Sequence, residues 1–201
     1  MMRVLYVYGM STTKDLLYNL QKLGYEAEEY PHRQNNSRLS DEEIEKLIDY
    51  IKDHKITHLM STHLIYNLAV AAYKTAIKYI SVIWDAPYIK IYTPFGKLDN
   101  CWFSVFDKLD YERFKQDGIS HLLYQPLAVN QDAVRKWDVK RKLGGNYINE
   151  VCFLGRLYED NLYDKYLKEI PEQIQKYFTS IFEEAAFSWD GENRVYGKTA
   201  K

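Results

Sequence analysis

An aspartate and a histidine are the residues of this chain whose types and positions could perform chemistry together. Asp85 directly follows residues 79–84, a run of apolar and β-branched residues typical of a strand buried on both faces. His63 falls just past an earlier strand-like run, residues 56–61. Ligands of open parallel sheets bind beyond the carboxyl ends of the strands, so we expect both side chains to meet there. A His–Asp couple at that position could act as a general base.

Asp85 also has a second interpretation, which its residue type leaves open. Pro87 prevents the strand from continuing regularly. An aspartate before such a break can cap a turn or the next helix. A cap would accept hydrogen bonds from backbone N–H groups of the following turn, whereas a base would present its carboxylate to an open cleft.

The turn after the first predicted strand is a further candidate for ligand binding. Residues 3–8 are typical of a buried strand, and Gly9, Ser11 and Thr12 follow it before a helical pattern begins. The turn lacks the glycine and Lys-Ser/Thr spacing of a P-loop and the glycine pattern of dinucleotide sites. We therefore expect a polar ligand that contacts Ser11 or Thr12 at the helix N-terminus.

The sequence predicts neither a metal site nor a disulfide. The five histidines are scattered along the chain, and the two cysteines do not form a C-x-x-C motif. Cys101 and Cys152 both lie in apolar, strand-like runs. We expect them to be buried thiols.

The composition fits a globular protein and argues against several classes of partner. Of the 201 residues, 46% are apolar and 27% are charged, and the formal net charge of −1 favours neither nucleic acid nor an anionic membrane. No apolar run approaches the length of about 18 residues that a transmembrane helix needs. No signal-peptide pattern precedes the first strand. We expect a cytoplasmic protein without a nucleic-acid partner or a transmembrane segment.

Strand-like and helix-like segments alternate along most of the chain. Apolar runs alternate with helix-period stripes roughly every 20 to 30 residues, and one helix opens with a capping box from Ser40 to Glu43. The alternation predicts an α/β fold, a Rossmann-like doubly wound parallel sheet of at least five strands, with residues 79–84 central and helices on both faces. We expect a Rossmann-like domain at 1–130, a linker and the start of a donor-half motif at 131–158, and a helical extension at 159–201, divided by Pro171.

Four segments in order resemble the CgeB-like, DUF3880-type glycosyltransferase family. Ile-Ser-Val-Ile-Trp-Asp-Ala-Pro is similar to that family's I-S-W-x-x-D-S/D-P stretch. The other three resemble its F-x-F-D, L-P-L-A-x-N/D and V-S-F-V-G-S-L-Y-x-x-N segments. In this chain the four lie at residues 80–87, 103–107 with Tyr111, 125–130 and 151–161. The order and spacing match across roughly residues 56–178.

The resemblance implies a GT-B glycosyltransferase, in which two Rossmann-like domains face each other across a cleft. The N-terminal domain shapes the acceptor side, and the C-terminal domain binds most of the nucleotide-sugar donor. Asp85 is then the first candidate for the catalytic base and His63 the second. The resemblance also makes Pro87, Asp107, Gln125 and Asn130 candidates for substrate binding, in addition to Gly9, Ser11 and Thr12 in the first turn.

A short segment further along is similar to the F-x-G-R-L motif that opens the donor half of many group 1 glycosyltransferases. It reads Phe-Leu-Gly-Arg-Leu at residues 153–157. By this resemblance, Gly155 lets the backbone approach the donor diphosphate, and Arg156 offsets its charge. CgeB-like proteins often carry serine at the position of Arg156.

The family pattern continues through a whole second domain, whereas this chain stops at Lys201. We therefore expect an N-terminal half that transfers no sugar alone, with no cofactor of its own. The full enzyme would use a nucleotide-sugar donor, the missing C-terminal domain and a glycan, protein or small-molecule acceptor. The sequence leaves two alternatives open, a non-catalytic Rossmann-like module that binds a ligand or a protein, and a component of a surface or spore coat.

Overall fold

The computed structural model describes residues 2–7, 13–30, 39–135, 155, 161–167 and 169–188. The chain divides into two compact units, Met1–Trp137 and Asp138–Lys201. Within the described ranges, no helix is both long and apolar enough to cross a membrane.

The first unit alternates strands and helices, as the sequence pattern predicts. Its strands are β1 (Arg3–Tyr6), β2 (Glu26–Glu29), β3 (His58–Thr62), β4 (Lys78–Ile83), β5 (Cys101–Val105) and β6 (Leu122–Tyr124). Its helices are α1 (Thr13–Lys22), α2 (Asp41–Asp53), α3 (Tyr66–Lys74), α4 (Lys108–Gln116) and α5 (Gln131–Arg135). Two 3₁₀ helices, Ile89–Tyr92 and Pro94–Lys97, connect β4 to β5.

The six strands form one parallel sheet in the order β2-β1-β3-β4-β5-β6. This confirms the predicted α/β, Rossmann-like parallel sheet. The strand predicted at residues 79–84 is interior, because β4 pairs with both β3 and β5; it ends at Ile83, so Trp84 lies outside it. The strand order reverses between β1 and β3. In sheets of this kind, the crevice at that reversal is the usual ligand site.

The direction of each crossover decides which face a helix covers. Connections between parallel strands are right-handed, and only the step from β1 to β2 runs in the opposite direction along the sheet. Therefore α1 lies on one face, and α2, α3 and α4 lie on the other. The main core forms on the second face, where Leu59, Tyr79 and Phe103 from neighbouring strands are almost completely buried among residues of those helices.

Helix α2 shows why these segments fold as the pattern predicts. Ser40 accepts a hydrogen bond from the Glu43 N–H, and the Glu43 carboxylate accepts one from the Ser40 N–H, so the predicted capping box is present. The predicted apolar stripe is buried throughout and consists of Ile44, Leu47, Ile48 and Ile51. Local capping and the burial of one face thus fix this helix.

The second unit contains the helices α6 (Leu162–Leu167) and α7 (Glu172–Phe187). Asn161 accepts a hydrogen bond from the Asp164 N–H at the start of α6. Pro171 precedes α7, so the predicted division of this region into two helical segments is confirmed. The predicted strand that would carry Cys152 lies outside the described residues.

Candidate functional site

His63 follows β3 in a backbone conformation that side chains rarely adopt. Its φ is +61°, in the left-handed region, which costs roughly 1–2 kcal/mol for a residue with a Cβ. Hydrogen bonds on both sides hold it there. Its N–H donates to the Val82 carbonyl at 2.9 Å, and its carbonyl accepts from the Ser61 hydroxyl at 2.8 Å. The turn after β3 is therefore anchored to β4 and to its own strand.

Two tyrosine hydroxyls hold the next two amides of this turn. The Leu64 N–H donates to the Tyr88 hydroxyl at 2.7 Å, and the Ile65 N–H donates to the Tyr79 hydroxyl at 2.9 Å. Ile65 is the N-cap residue of α3 and has no side-chain cap of its own, so the phenols satisfy amides that lead into the helix. Burial raises the pKa of Tyr88 to about 12 and also raises the pKa of Tyr79. Both phenols are therefore neutral near pH 7.

The loop after β4 brings Asp85 to the same edge of the sheet. Asp85 and Pro87 are exposed, and the Ala86–Pro87 peptide bond is cis. The next residue, Tyr88, is buried, and its N–H donates to Oδ2 of Asp110 at 2.9 Å. Asp110 belongs to α4 and is only 4% exposed, so a buried carboxylate fixes the far end of the loop.

The His63 and Asp85 side chains contact each other. Nε2 of His63 lies 3.2 Å from Oδ2 of Asp85, which confirms the predicted proximity. The His63 ring is stacked on Tyr88, with centroids 5.4 Å apart and an interplanar angle of 16°. The side chain of His63 is 23% exposed, whereas that of Asp85 is 77% exposed. Among the described residues, no backbone N–H donates to the Asp85 carboxylate, so the bonds that a cap would make are not formed.

The electrostatic surroundings assign different roles to the two side chains. Burial lowers the pKa of His63 and nearby Lys90 lowers it too, whereas Asp85 raises it. With the pKa lowered overall, the imidazole is mostly neutral at pH 7, and its contact with Asp85 places the N–H on Nε2. Nδ1 is buried without a hydrogen-bond partner in the described part of the chain. Asp85 is therefore the more exposed member of the pair, and His63 is the member that donates the hydrogen bond between them.

Three other predicted site residues have structural partners. Asp107 caps α4 by accepting a hydrogen bond from the Asp110 N–H at 2.9 Å. Gln125 accepts a hydrogen bond from the Ser104 hydroxyl at 3.1 Å. Asn130 accepts from the Asp132 and Ala133 amides at the start of α5. These contacts stabilise helix starts and the β5–β6 edge, and the predicted role of the three residues in substrate binding stays a prediction.

The structure describes only two of the remaining predicted residues, Pro87 and Gly155. Pro87 lies two residues from Asp85 in the same exposed loop. Gly155 is exposed and belongs to the second unit. The other candidates, Gly9, Ser11, Thr12 and Arg156, lie outside the described residues.

A polar cavity of about 260 Å³ lies beside α1 and α5. Its lining residues are Asn19, Lys22, Val129, Asn130, Gln131, Asp132 and Arg135. Among the predicted site residues that the structure describes, Asn130 lines the cavity, whereas Asp85 and His63 do not. The cavity is thus a separate feature from the His63–Asp85 pair.

The histidine and cysteine positions give no metal cluster in the described part of the chain. His54 and His58 are four residues apart, which would suit two ligands on one helix face, but α2 ends at Asp53 and His58 opens β3. No group of three or more His, Cys, Asp or Glu side chains is arranged for a metal within the ranges described. Cys101 is a buried free thiol, as predicted, and burial raises its pKa to about 12.

Sequence reasoning did not identify Tyr79, Tyr88 and Asp110 as parts of this site. Tyr79 lies inside an apolar strand run, where a tyrosine can simply be a packing residue. Tyr88 directly follows Pro87. That position would indicate a role in the site only if the loop were already known to return to the sheet. Asp110 bonds a residue 22 positions earlier, and no local pattern indicates that contact.

No protein-family model matches this chain, and no curated protein matches it. The resemblance to CgeB-like glycosyltransferases therefore stays a prediction based on the four motifs.

Proposed function

We propose that this chain is the acceptor-side, Rossmann-like half of a nucleotide-sugar-dependent glycosyltransferase, with Asp85 as its general base. One observation carries the proposal. A largely exposed carboxylate, paired with a mostly neutral histidine, lies beyond the carboxyl ends of two interior parallel strands. The similarity of four ordered segments to CgeB-like glycosyltransferases supplies the reaction class.

The proposed reaction is a group transfer to a hydroxyl. The acceptor oxygen attacks the anomeric carbon of the donor sugar and forms the new glycosidic bond. The bond between that carbon and the nucleoside diphosphate breaks, and the diphosphate leaves with the bonding electrons. Asp85 takes the proton of the acceptor hydroxyl, and the N–H of His63 orients the carboxylate by donating to its Oδ2.

In this proposal, the nucleotide-sugar donor binds to the second half of the enzyme. Gly155 and Arg156 occupy the motif that resembles the opening of a donor domain, where backbone and a guanidinium face the diphosphate. We propose that a further donor domain, in the same polypeptide or in a partner, completes the site. The acceptor, whether glycan, protein or small molecule, would bind along the loop that carries Asp85 and Pro87.

The test is the substitution Asp85→Asn in a protein that carries both halves. Because a general base contributes roughly 10²- to 10⁴-fold, kcat for nucleotide-sugar-dependent transfer should fall by about that factor. The measurement is release of nucleoside diphosphate across a panel of nucleotide sugars and acceptors. Circular dichroism should show an unchanged fold.

Asp99→Asn is the matched control. Asp99 is also exposed but lies just before β5, at the opposite edge of the sheet. Its substitution should leave turnover at the wild-type level. Wild-type turnover by Asp85→Asn itself would refute the assignment of the base.

The polar cavity beside α1 and α5 favours a second candidate function, a non-catalytic module for a small polar ligand. Its volume of about 260 Å³ is just below the range of small-molecule sites, and Arg135 lines it with a guanidinium that can donate hydrogen bonds. In that case the protein would bind its ligand without turnover, and Asp85→Asn would not alter the affinity. Calorimetric binding and turnover, both measured with the same panel of nucleotide sugars and acceptors, distinguish the two functions.

A further inference from the structure

Tyr88 contacts both loops that carry the candidate catalytic pair. Its hydroxyl accepts the Leu64 N–H at 2.7 Å, in the turn that follows His63. Its ring is stacked on the His63 imidazole. Its own N–H, three residues after Asp85, donates to Asp110 at 2.9 Å. One residue thus links the turn after β3, the loop after β4 and helix α4.

Asp110 is an acidic residue in an almost completely buried position, which is unusual. It is 4% exposed, and burial raises the pKa of its carboxyl, while the Tyr88 N–H and Arg113 act in the opposite direction. The Arg113 guanidinium is 3.9 Å from Oδ1, at the limit of an ion pair. Within the described residues, this carboxylate accepts its short hydrogen bond from the Tyr88 N–H, at 2.9 Å. A group that is costly to bury is therefore used to fix the backbone of the Asp85 loop.

The contact between His63 and Asp85 needs such a support. Asp85 is 77% exposed, and an exposed ion pair or hydrogen bond is by itself too weak to fix the geometry of two side chains. His63 also has a left-handed backbone, which persists only when its surroundings fix it. Tyr88 supplies the surface on which the imidazole lies and the acceptor that fixes the next amide.

We propose that Tyr88 and Asp110 are positioning residues that hold His63 and Asp85 together as one coupled pair. Asp110 fixes the Tyr88 backbone, and Tyr88 in turn fixes the turn and the ring orientation of His63. The importance of this coupling for catalysis rests on the proposed glycosyltransferase function. The coupling itself can be measured without any donor or acceptor.

The test is a double-mutant cycle followed by NMR titration of the His63 ring, with the resonance assigned by its loss in His63→Gln. The charged groups that act on this imidazole are Asp85 and Lys90. Because Asp85 raises the pKa of His63, Asp85→Asn should lower it in the wild-type background. In the Tyr88→Phe background, the ring remains but the hydroxyl is lost, and the effect of Asp85→Asn should shrink to less than about half.

Asp110 offers a pair of variants that separates positioning from packing. Asp110→Asn retains an oxygen that can accept the Tyr88 N–H, so the coupling should stay at its wild-type size. Asp110→Ala removes the acceptor, and the coupling should fall as it does in Tyr88→Phe. If Asp110→Ala does not fold, Tyr88→Phe decides, because it removes a single oxygen atom.

Tyr92→Phe is the matched control. The Tyr92 hydroxyl donates to Asp117, and its ring packs edge-on against Phe114 instead of His63. This variant should retain the full coupling. Full coupling in Tyr88→Phe, or none in the wild type, would overturn the proposal. If the coupling is lost in Tyr88→Phe but Asp85→Asn keeps full turnover, the positioning stands and the proposed function fails.

Discussion

The Asp110 carboxyl is almost completely buried, and burial disfavours its charged form, so the stability of this domain depends on pH. Burial raises the pKa of Asp110 above its ordinary value of 3.8. The folded state therefore holds the proton more tightly than the unfolded state does. The stability gained from this protonation is fully present below pH 3.8 and is lost as the pH rises through the folded pKa.

The variant Asp110→Asn should reveal this dependence, because it keeps an acceptor for Tyr88 but cannot ionise. We expect the free energy of unfolding of the wild type, relative to that of Asp110→Asn, to fall as the pH increases from 3.8 and then to level off. Urea unfolding at a series of pH values measures the difference. A difference that stays constant, or that moves in favour of the wild type as the pH rises, would contradict the prediction.

The residue types at the strand ends could not separate a base from a cap. Asp107 and Asp85 both follow an apolar strand, yet only Asp107 caps a helix, because α4 begins at the next residue. At Asp85 the residue two positions on is Pro87, which has no N–H, and the amide of Tyr88 is already bonded to Asp110. Pro87 is visible in the sequence and argues against a cap at Asp85. The hydrogen bond to Asp110, in contrast, depends on tertiary structure.

The strands and helices themselves could be predicted because their causes are local. The stripe of Ile44 and Leu47 in α2, with the capping box before it, determines one helix without knowledge of the rest. The interior position of β4 also follows from its apolar composition. The links that complete the site join residues that are distant in sequence; Leu64 and Tyr88, for example, are 24 positions apart. Such links depend on topology, which local patterns do not contain.

The 3₁₀ helix Pro94–Lys97 packs against the backbone of the preceding one at Gly96. A Cβ at this position would lie 1.8 Å from the Ile91 carbonyl oxygen, which is a backbone atom and cannot turn away. We expect Gly96→Ala to destabilise the protein by about 1–3 kcal/mol or more, as overpacking does. Lys97→Ala, at an exposed neighbour, should stay within about 0.5 kcal/mol of the wild type. Chemical denaturation measures both, and equal stabilities would show that this connection can readjust.

The doubly wound topology gathers His63 and Asp85 from separate parts of the chain. They follow β3 and β4, which are adjacent and parallel, so their carboxyl ends open at one edge of the sheet. The same arrangement places the strand-order reversal between β1 and β3, next to His63. Under the proposed function, this crevice is where the acceptor would bind. The fold therefore accounts for where chemistry could occur, whereas the identity of the substrate depends on residues beyond this pair.

The extent of the first unit leads to a prediction about the whole chain. Contacts group Met1–Trp137 together, and this includes α5, whose Asp132 carboxylate accepts hydrogen bonds from Lys22 and Tyr18 of α1. A protein of residues 1–137 contains the complete sheet and its core, so it should unfold cooperatively and keep the coupling between His63 and Asp85.

A protein of residues 1–130 would lose α5 but keep the six strands that the structure describes. Because the contacts of Asp132 are exposed, we expect only a small decrease in the melting temperature relative to residues 1–137. Asp132→Asn in the longer protein should reproduce part of that decrease, since it weakens the contact with Lys22 without removing the helix. Calorimetric melting and the NMR titration of His63 provide the measurements. If residues 1–137 failed to fold while the full chain folded, the sheet would depend on Asp138–Lys201, and the first unit would not be an independent domain.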